Sequence, residues 1–288
     1  MFKGSIVALV TPFRNGKVDL DKVRELVDWH LRSGTNGIVA CGTTGEAVTM
    51  SDEERRETIS AVVQAVGKRI PVIAGTGSND TARTIAETQS AEKLGVDGAL
   101  VVTPYYNKPT QRGLIEHFRA VAGATKLPIV LYNVPGRTGV NMAPETVAAL
   151  AQERNVVAIK EAGGNADAVS QIRLRSGITV LSGDDGLTLP MMALGAVGVI
   201  SVAANVMPGE IAGLCGAFLQ GDLARARDLH YKTYPVVQAL FIESNPIPVK
   251  TALKHMGKIT GELRAPLCGM SEENEKKLVA ALEAAGLV

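Results

Sequence analysis

Lys160 ends the apolar run Val156-Val157-Ala158-Ile159 in the stretch NVVAIKEAGG, residues 155–164. An amine at the end of a strand that reads as buried suggests covalent chemistry. A solvated lysine has a pKa of roughly 10.4, so only about one in a thousand is neutral near pH 7.4. Burial disfavours the cation, and a neutral amine adds to a carbonyl to form a Schiff base. Once protonated, the imine draws electrons from the adjacent carbon and makes an enamine, a carbanion equivalent, accessible. Protons must then be moved by nearby hydroxyls, and Tyr132, Tyr106 and Thr43 are the candidates. Arg137, in YNVPGRTG, offers a planar fork for a substrate carboxylate. Thr44, Tyr105 and Asp184 also follow apolar runs. Each residue alone has a plainer reading: the first wet position of a loop, a packed ring, the decoration of a turn. The expectation rests on their convergence.

The elements that would bring them together form a barrel. Apolar, β-branched runs recur along the chain, and strands are expected at 5–11, 37–42, 71–77, 98–104, 128–134, 156–161, 179–184 and 197–203. The runs are continuous, not alternating, as in parallel strands covered on both faces. Between them lie helix signals: Ser51 followed by acids, a stop at Gly95, and Pro144 at a first-turn position. Eight strand–helix units predict an α/β fold, a (β/α)8 TIM barrel. Its active site would form at the C-terminal ends of the strands, where the candidate residues lie. After about residue 205 the pattern is helical only. The expected division is a catalytic barrel over 1–224 and a helical extension over 225–288, packed on the barrel.

Composition excludes several classes of function. Lys and Arg total 30 against 29 Asp and Glu, with no basic run, so neither nucleic acid nor an anionic membrane is an expected partner. Cys41, Cys215 and Cys268 make neither a disulfide framework nor a zinc pattern, which fits a reducing, cytoplasmic compartment. The apolar stretch of MFKGSIVALVTPF is too short for a signal sequence. In the most apolar window, 187–206, Pro190, Gly195 and Gly198 interrupt any membrane span. GTGSND lacks the third glycine of a dinucleotide loop, and the four histidines show no metal-binding spacing. The Asp184-Asp185 pair reads as helix capping after strand seven.

Taken together, GTTGE, TPYYNKPTQ, YNVPGRTG, IKEAGG, LSGDD and ESNPIPVK resemble the dihydrodipicolinate synthase (4-hydroxy-tetrahydrodipicolinate synthase) family of pyruvate-dependent class I aldolases. The resemblance runs over essentially the whole chain. It implies a lyase that joins pyruvate to L-aspartate 4-semialdehyde, the first committed step of lysine biosynthesis through diaminopimelate. It implies Lys160 as the Schiff-base lysine, and Tyr132, Thr43 and Tyr106 as the proton relay, with Tyr106 reaching across from a neighbouring subunit. Thr44 and Ile200 would contact pyruvate, Arg137 would receive the semialdehyde carboxylate, and Gly183 and Asp184 would form the pocket rim. It further implies a homotetramer, a dimer of dimers, with no metal or organic cofactor. Many relatives bind inhibitory lysine in a cleft that matches Ala47, Asp52, Arg55, Asn79, Arg83 and Tyr105. Arg55 and Arg83 replace a histidine and a glutamate of the enterobacterial type, so weak or absent inhibition is expected. Two other readings stay open: a sialic acid or 2-keto-3-deoxy sugar acid lyase on the same barrel, and a barrel that binds a carbonyl ligand without turnover.

Overall fold

The computed structural model describes residues 2–288. Eight parallel strands close into a barrel: β1 (Gly4–Ala8), β2 (Gly37–Ala40), β3 (Val72–Gly75), β4 (Gly98–Val102), β5 (Ile129–Asn133), β6 (Val156–Glu161), β7 (Thr179–Ser182) and β8 (Gly198–Ser201). Neighbours in sequence are neighbours in the sheet, and β1 closes the ring between β8 and β2. Every expected strand is present. All but β6 end one to three residues short of expectation, because the chain leaves the ladder at the C-terminal end to enter the loops that carry polar residues.

Period-two alternation sorts the strand residues. Ile6, Val39, Ile73, Leu100, Val130, Ala158, Leu181 and Ile200 fill the barrel, while their neighbours Val7, Ile38, Leu131 and Ile159 pack outward against the helices. Lys160 lies two residues beyond Ala158 on β6, so it points inward. Tyr132, two beyond Val130 on β5, does the same. The barrel register sets Tyr132 directly beside Lys160.

The connecting helices are α1 (Leu20–Arg32), α2 (Asp52–Val66), α3 (Thr81–Lys93), α4 (Gln111–Gly123), α5 (Pro144–Leu150), α6 (Asp167–Arg175), α7 (Thr188–Ala193) and α8 (Pro208–Leu219). Helix α2 starts with a full capping box between Ser51 and Glu54. Helix α3 ends at Lys93, two residues before Gly95, whose φ of 80° takes the chain out of the helix. Three further helices follow: α9 (Leu223–Leu240), α10 (Ile247–His255) and α11 (Glu272–Ala284). Helix α9 packs on α8, and α11 on both α9 and α10. Helix α10 is buried without a break from Ile247 to Leu253.

A small hairpin, Phe13–Arg14 with Lys17–Val18, was not anticipated. Its signal is in the sequence. Asn15 and Gly16 have φ of 52° and 75°, the doubly left-handed turn that an Asn-Gly pair supports.

Candidate active site

Tyr132 and Lys160 stand on adjacent strands at the C-terminal end of the barrel. Both are almost wholly buried, and Lys160 Nζ lies 4.2 Å from the centroid of the Tyr132 ring. Just outside the barrel the next pair in register, Asn133 and Glu161, bond to each other: Asn133 Nδ2 donates to Glu161 Oε2 at 3.0 Å. Glu161 also accepts from Gly163 N at 2.7 Å. Burial raises the Glu161 carboxyl above the ordinary range, against the pull of these donors. This tie joins β5 to β6 at the level of the tyrosine and the lysine.

A second buried lysine tests the choice of nucleophile. Lys250 donates to Thr11 O at 2.9 Å and to Glu46 Oε1 at 2.5 Å, with both charged side chains sealed from solvent. An amine so tied cannot approach a substrate carbonyl. Among the described residues no carboxylate pairs with Lys160. Cys41 lines the same mouth, but burial pushes its thiol up to about 12, so it provides no thiolate nucleophile.

Above the strand ends lies a cavity of about 300 Å3, walled by Thr43, Tyr105, Tyr132, Val134 and Arg137 among others. Thr43 belongs to a turn closed by Glu46 N donating to Thr43 O at 3.1 Å. The next residue, Thr44, is buried and its hydroxyl accepts from Asn245 Nδ2 at 3.0 Å. Arg137 sits on a single helical turn, Pro135–Thr138, and donates to Asn245 O at 2.8 Å. Asn245, just ahead of α10, therefore joins the threonine turn to the arginine. It is buried, and its Oδ1 has no partner. No local feature of ESNPIPVK marks it, because its partners lie far away in sequence.

The other expected residues lie around this cavity and the barrel interior as follows. Ile200 is buried in the barrel interior with Tyr132 and Leu181. Gly183 lies against Lys160: a Cβ added there would be 2.9 Å from Lys160 Cε and 3.0 Å from Lys160 Cγ. Asp184 caps a short turn, its Oδ1 accepting from Gly186 N at 3.0 Å. Asp185 does not act as a cap. It is buried and accepts from Ser201 Oγ, Val202 N and Ala203 N, fastening β7 to the end of β8. Tyr106 is not gathered into the mouth within one chain. The residue is 88% exposed and its φ is 72°, while Tyr105 lines the cavity instead. Among the described residues, no group of three His, Cys, Asp or Glu could hold a metal ion, and no helix is long and apolar enough to cross a membrane.

Residues 1–285 match the model of the dihydrodipicolinate synthetase family. The chain belongs to this family. It is 58% identical over 285 residues to the 4-hydroxy-tetrahydrodipicolinate synthase of Geobacter sulfurreducens, covering 98% of each chain. It is 57% identical, with the same coverage, to the synthase of Geobacter metallireducens. A crystal structure of dihydrodipicolinate synthase from Aquifex aeolicus superposes with a TM-score of 0.98 at 52% identity, over 99% of each chain.

Against this family membership, the residues of the expected effector cleft take on detail. Ala47, Arg55, Arg83 and Tyr105 line the same cavity as Thr43 and Tyr132. Asp52 lines an adjoining hollow and stays 3.7 Å from Arg83. Asn79 is outside both; its carbonyl accepts from Asn107 Nδ2 at 2.8 Å. The carboxylate that the sequence reading missed is Glu87. It pairs with Arg55 at 2.5 Å and with Arg83 at 2.7 Å, so one acid is shared by two cations. Arg55 also donates to Gly75 O at 2.8 Å. Glu87 stands one helical turn after Arg83 on α3, a spacing that makes the pair legible in retrospect.

Proposed function

We propose that this chain is a 4-hydroxy-tetrahydrodipicolinate synthase that works through a pyruvate imine on Lys160. The observation that carries the reading is the buried lysine beside Tyr132, a tyrosine that itself lines a cavity with Thr43 and Arg137. Lys160 attacks the ketone of pyruvate, and loss of water gives the imine. Loss of a methyl proton gives the enamine. The enamine carbon adds to the aldehyde of L-aspartate 4-semialdehyde, whose oxygen takes up a proton. The amine of the former semialdehyde then attacks the imine carbon, closes the ring and releases Lys160 as the free amine. Tyr132 and Thr43 move protons in these steps.

Thr44 and Ile200 hold pyruvate, and Arg137 receives the carboxylate of the semialdehyde as a fork. Gly183 and Asp184 form the rim. The covalent imine supplies the electron sink, so no metal or organic cofactor is called for. Tyr106 completes the relay of a second copy. Its exposed ring and left-handed backbone support that reading, and a homotetramer in the cytoplasm is the proposed working form. The test is a coupled assay with pyruvate and L-aspartate 4-semialdehyde, run beside N-acetylneuraminate and 2-keto-3-deoxygluconate. Turnover of the first pair alone is the expected result. Faster cleavage of either sugar acid would reassign the activity.

A further inference from the structure

Lys250 and Glu46 have no part in the chemistry above, yet they form an ion pair with side-chain exposures of 0% and 1%. Such a pair adds little net stability over apolar side chains of equal volume, because desolvation offsets the attraction. Its place in the fold is informative. Glu46 ends the turn that carries Thr43 and Thr44, and it holds a left-handed backbone with φ of 52°, costly for a residue with a Cβ. Its carboxylate is fixed at both oxygens: Lys250 Nζ donates to Oε1, and Arg264 N donates to Oε2 at 3.1 Å. Lys250 also donates to Thr11 O, and the hydroxyl of Thr11 donates to Gly45 O at 2.7 Å. The Lys250 ammonium sits 4.2 Å from the centre of the Phe13 ring. The C-terminal end of the threonine turn is thus tied to one buried cation on α10, directly at Glu46 and through Thr11 at Gly45.

We propose that the Lys250–Glu46 pair is a positioning clamp: it holds the turn from Gly42 to Ala47 in the conformation that presents the Thr43 and Thr44 hydroxyls at the barrel mouth. The inference rests on the proposed function for its catalytic meaning. The clamp itself is a statement about geometry and can be tested without substrate.

The test uses the full chain with Lys250→Met and Glu46→Gln combined, which removes both charges and leaves neither buried alone. Hydrogen exchange is followed for 41–50, whose amides at Gly45, Glu46 and Ala47 close the turn, and for 156–161 as an internal control. The double variant is expected to exchange about tenfold faster or more over 41–50, with 156–161 unchanged. In the same variant kcat is expected to fall by about 100-fold per folded enzyme, the effect of a small misplacement, while the amount of pyruvate trapped by borohydride is retained. In a Thr43→Val background the added loss should shrink well below about 100-fold, because much of it acts through the Thr43 hydroxyl. Unchanged exchange over 41–50 would overturn the clamp. So would faster exchange with unchanged kcat, or losses that multiply fully with Thr43→Val. If the wild-type chain fails to condense the two substrates, the proposed function falls, and the exchange result still decides the clamp.

Discussion

Replacing Gly183 with alanine should disable the nucleophile without changing the lysine itself. A Cβ at this position would lie 2.7 Å from Ala162 Cβ, 2.9 Å from Lys160 Cε and 3.0 Å from Lys160 Cγ. Ordinary carbon contacts are about 3.5–4.0 Å, so the lysine stem must give way by roughly half to one ångström. Gly183 does not use the left-handed backbone, so the alanine brings no backbone strain of its own. Ala162 confines the added methyl on one side, and the Tyr132 ring lies 4.2 Å from the Nζ at the end of the stem. Overpacking of this kind costs about 1–3 kcal/mol of stability. A displacement of about 1 Å at a reacting group costs on the order of 100-fold in rate. The assay is the rate of borohydride-trapped adduct formation at saturating pyruvate, beside the thermal midpoint of the same sample. A folded variant that forms the adduct within about twofold of the wild-type rate would refute the packing argument.

Arg137→Ala should weaken use of the semialdehyde by about 2–4 kcal/mol, on the order of 30- to 1000-fold, with pyruvate trapping largely kept. Equal loss of both would mean that its contact with Asn245 O, at 2.8 Å, matters more than any substrate carboxylate. Lysine should inhibit weakly or not at all, since Glu87 is already shared by Arg55 and Arg83 and offers an inhibitor's ammonium no free acid; strong inhibition at sub-millimolar lysine in the coupled assay would contradict this. Stability should fall as pH drops below about 6.5. Burial lowers His30 to about 3 and His117 to about 4, so the unfolded chain binds protons that the folded chain refuses, and neutral-pH stability is lost as pH falls toward those values. Unfolding free energies from urea titrations between pH 7.5 and 5 should drop by up to about 1.4 kcal/mol per histidine per pH unit, less the opposing gain from the buried Glu161 carboxyl; a rise in stability toward pH 5 would contradict the burial argument.

The barrel was legible because its signals are local. Eight continuous apolar runs, spaced by capped helices, admit few other topologies; inward parity turns Lys160 and Tyr132 into the barrel, and the register of β5 on β6 sets them side by side. What escaped notice depends on distance along the chain. Asn245 meets Thr44 across 201 positions, and Lys250 meets Glu46 across 204; no pattern within a strand or helix announces either contact. The Asp184-Asp185 pair is a single feature in sequence, yet a step of one residue takes the second acid from a half-buried turn to the end of β8. Tyr105 and Tyr106 separate for a similar reason. The left-handed backbone at Tyr106 throws its ring outward, a conformation that residue type does not disclose.

The most direct measurement of the central claim is to incubate the protein with pyruvate, reduce with borohydride, digest, and map the mass shift. A single pyruvate-derived adduct on Lys160, absent from Lys160→Ala, is the predicted result. An adduct on Lys250 or any other lysine, or no adduct in a preparation that condenses pyruvate with the semialdehyde, would contradict it.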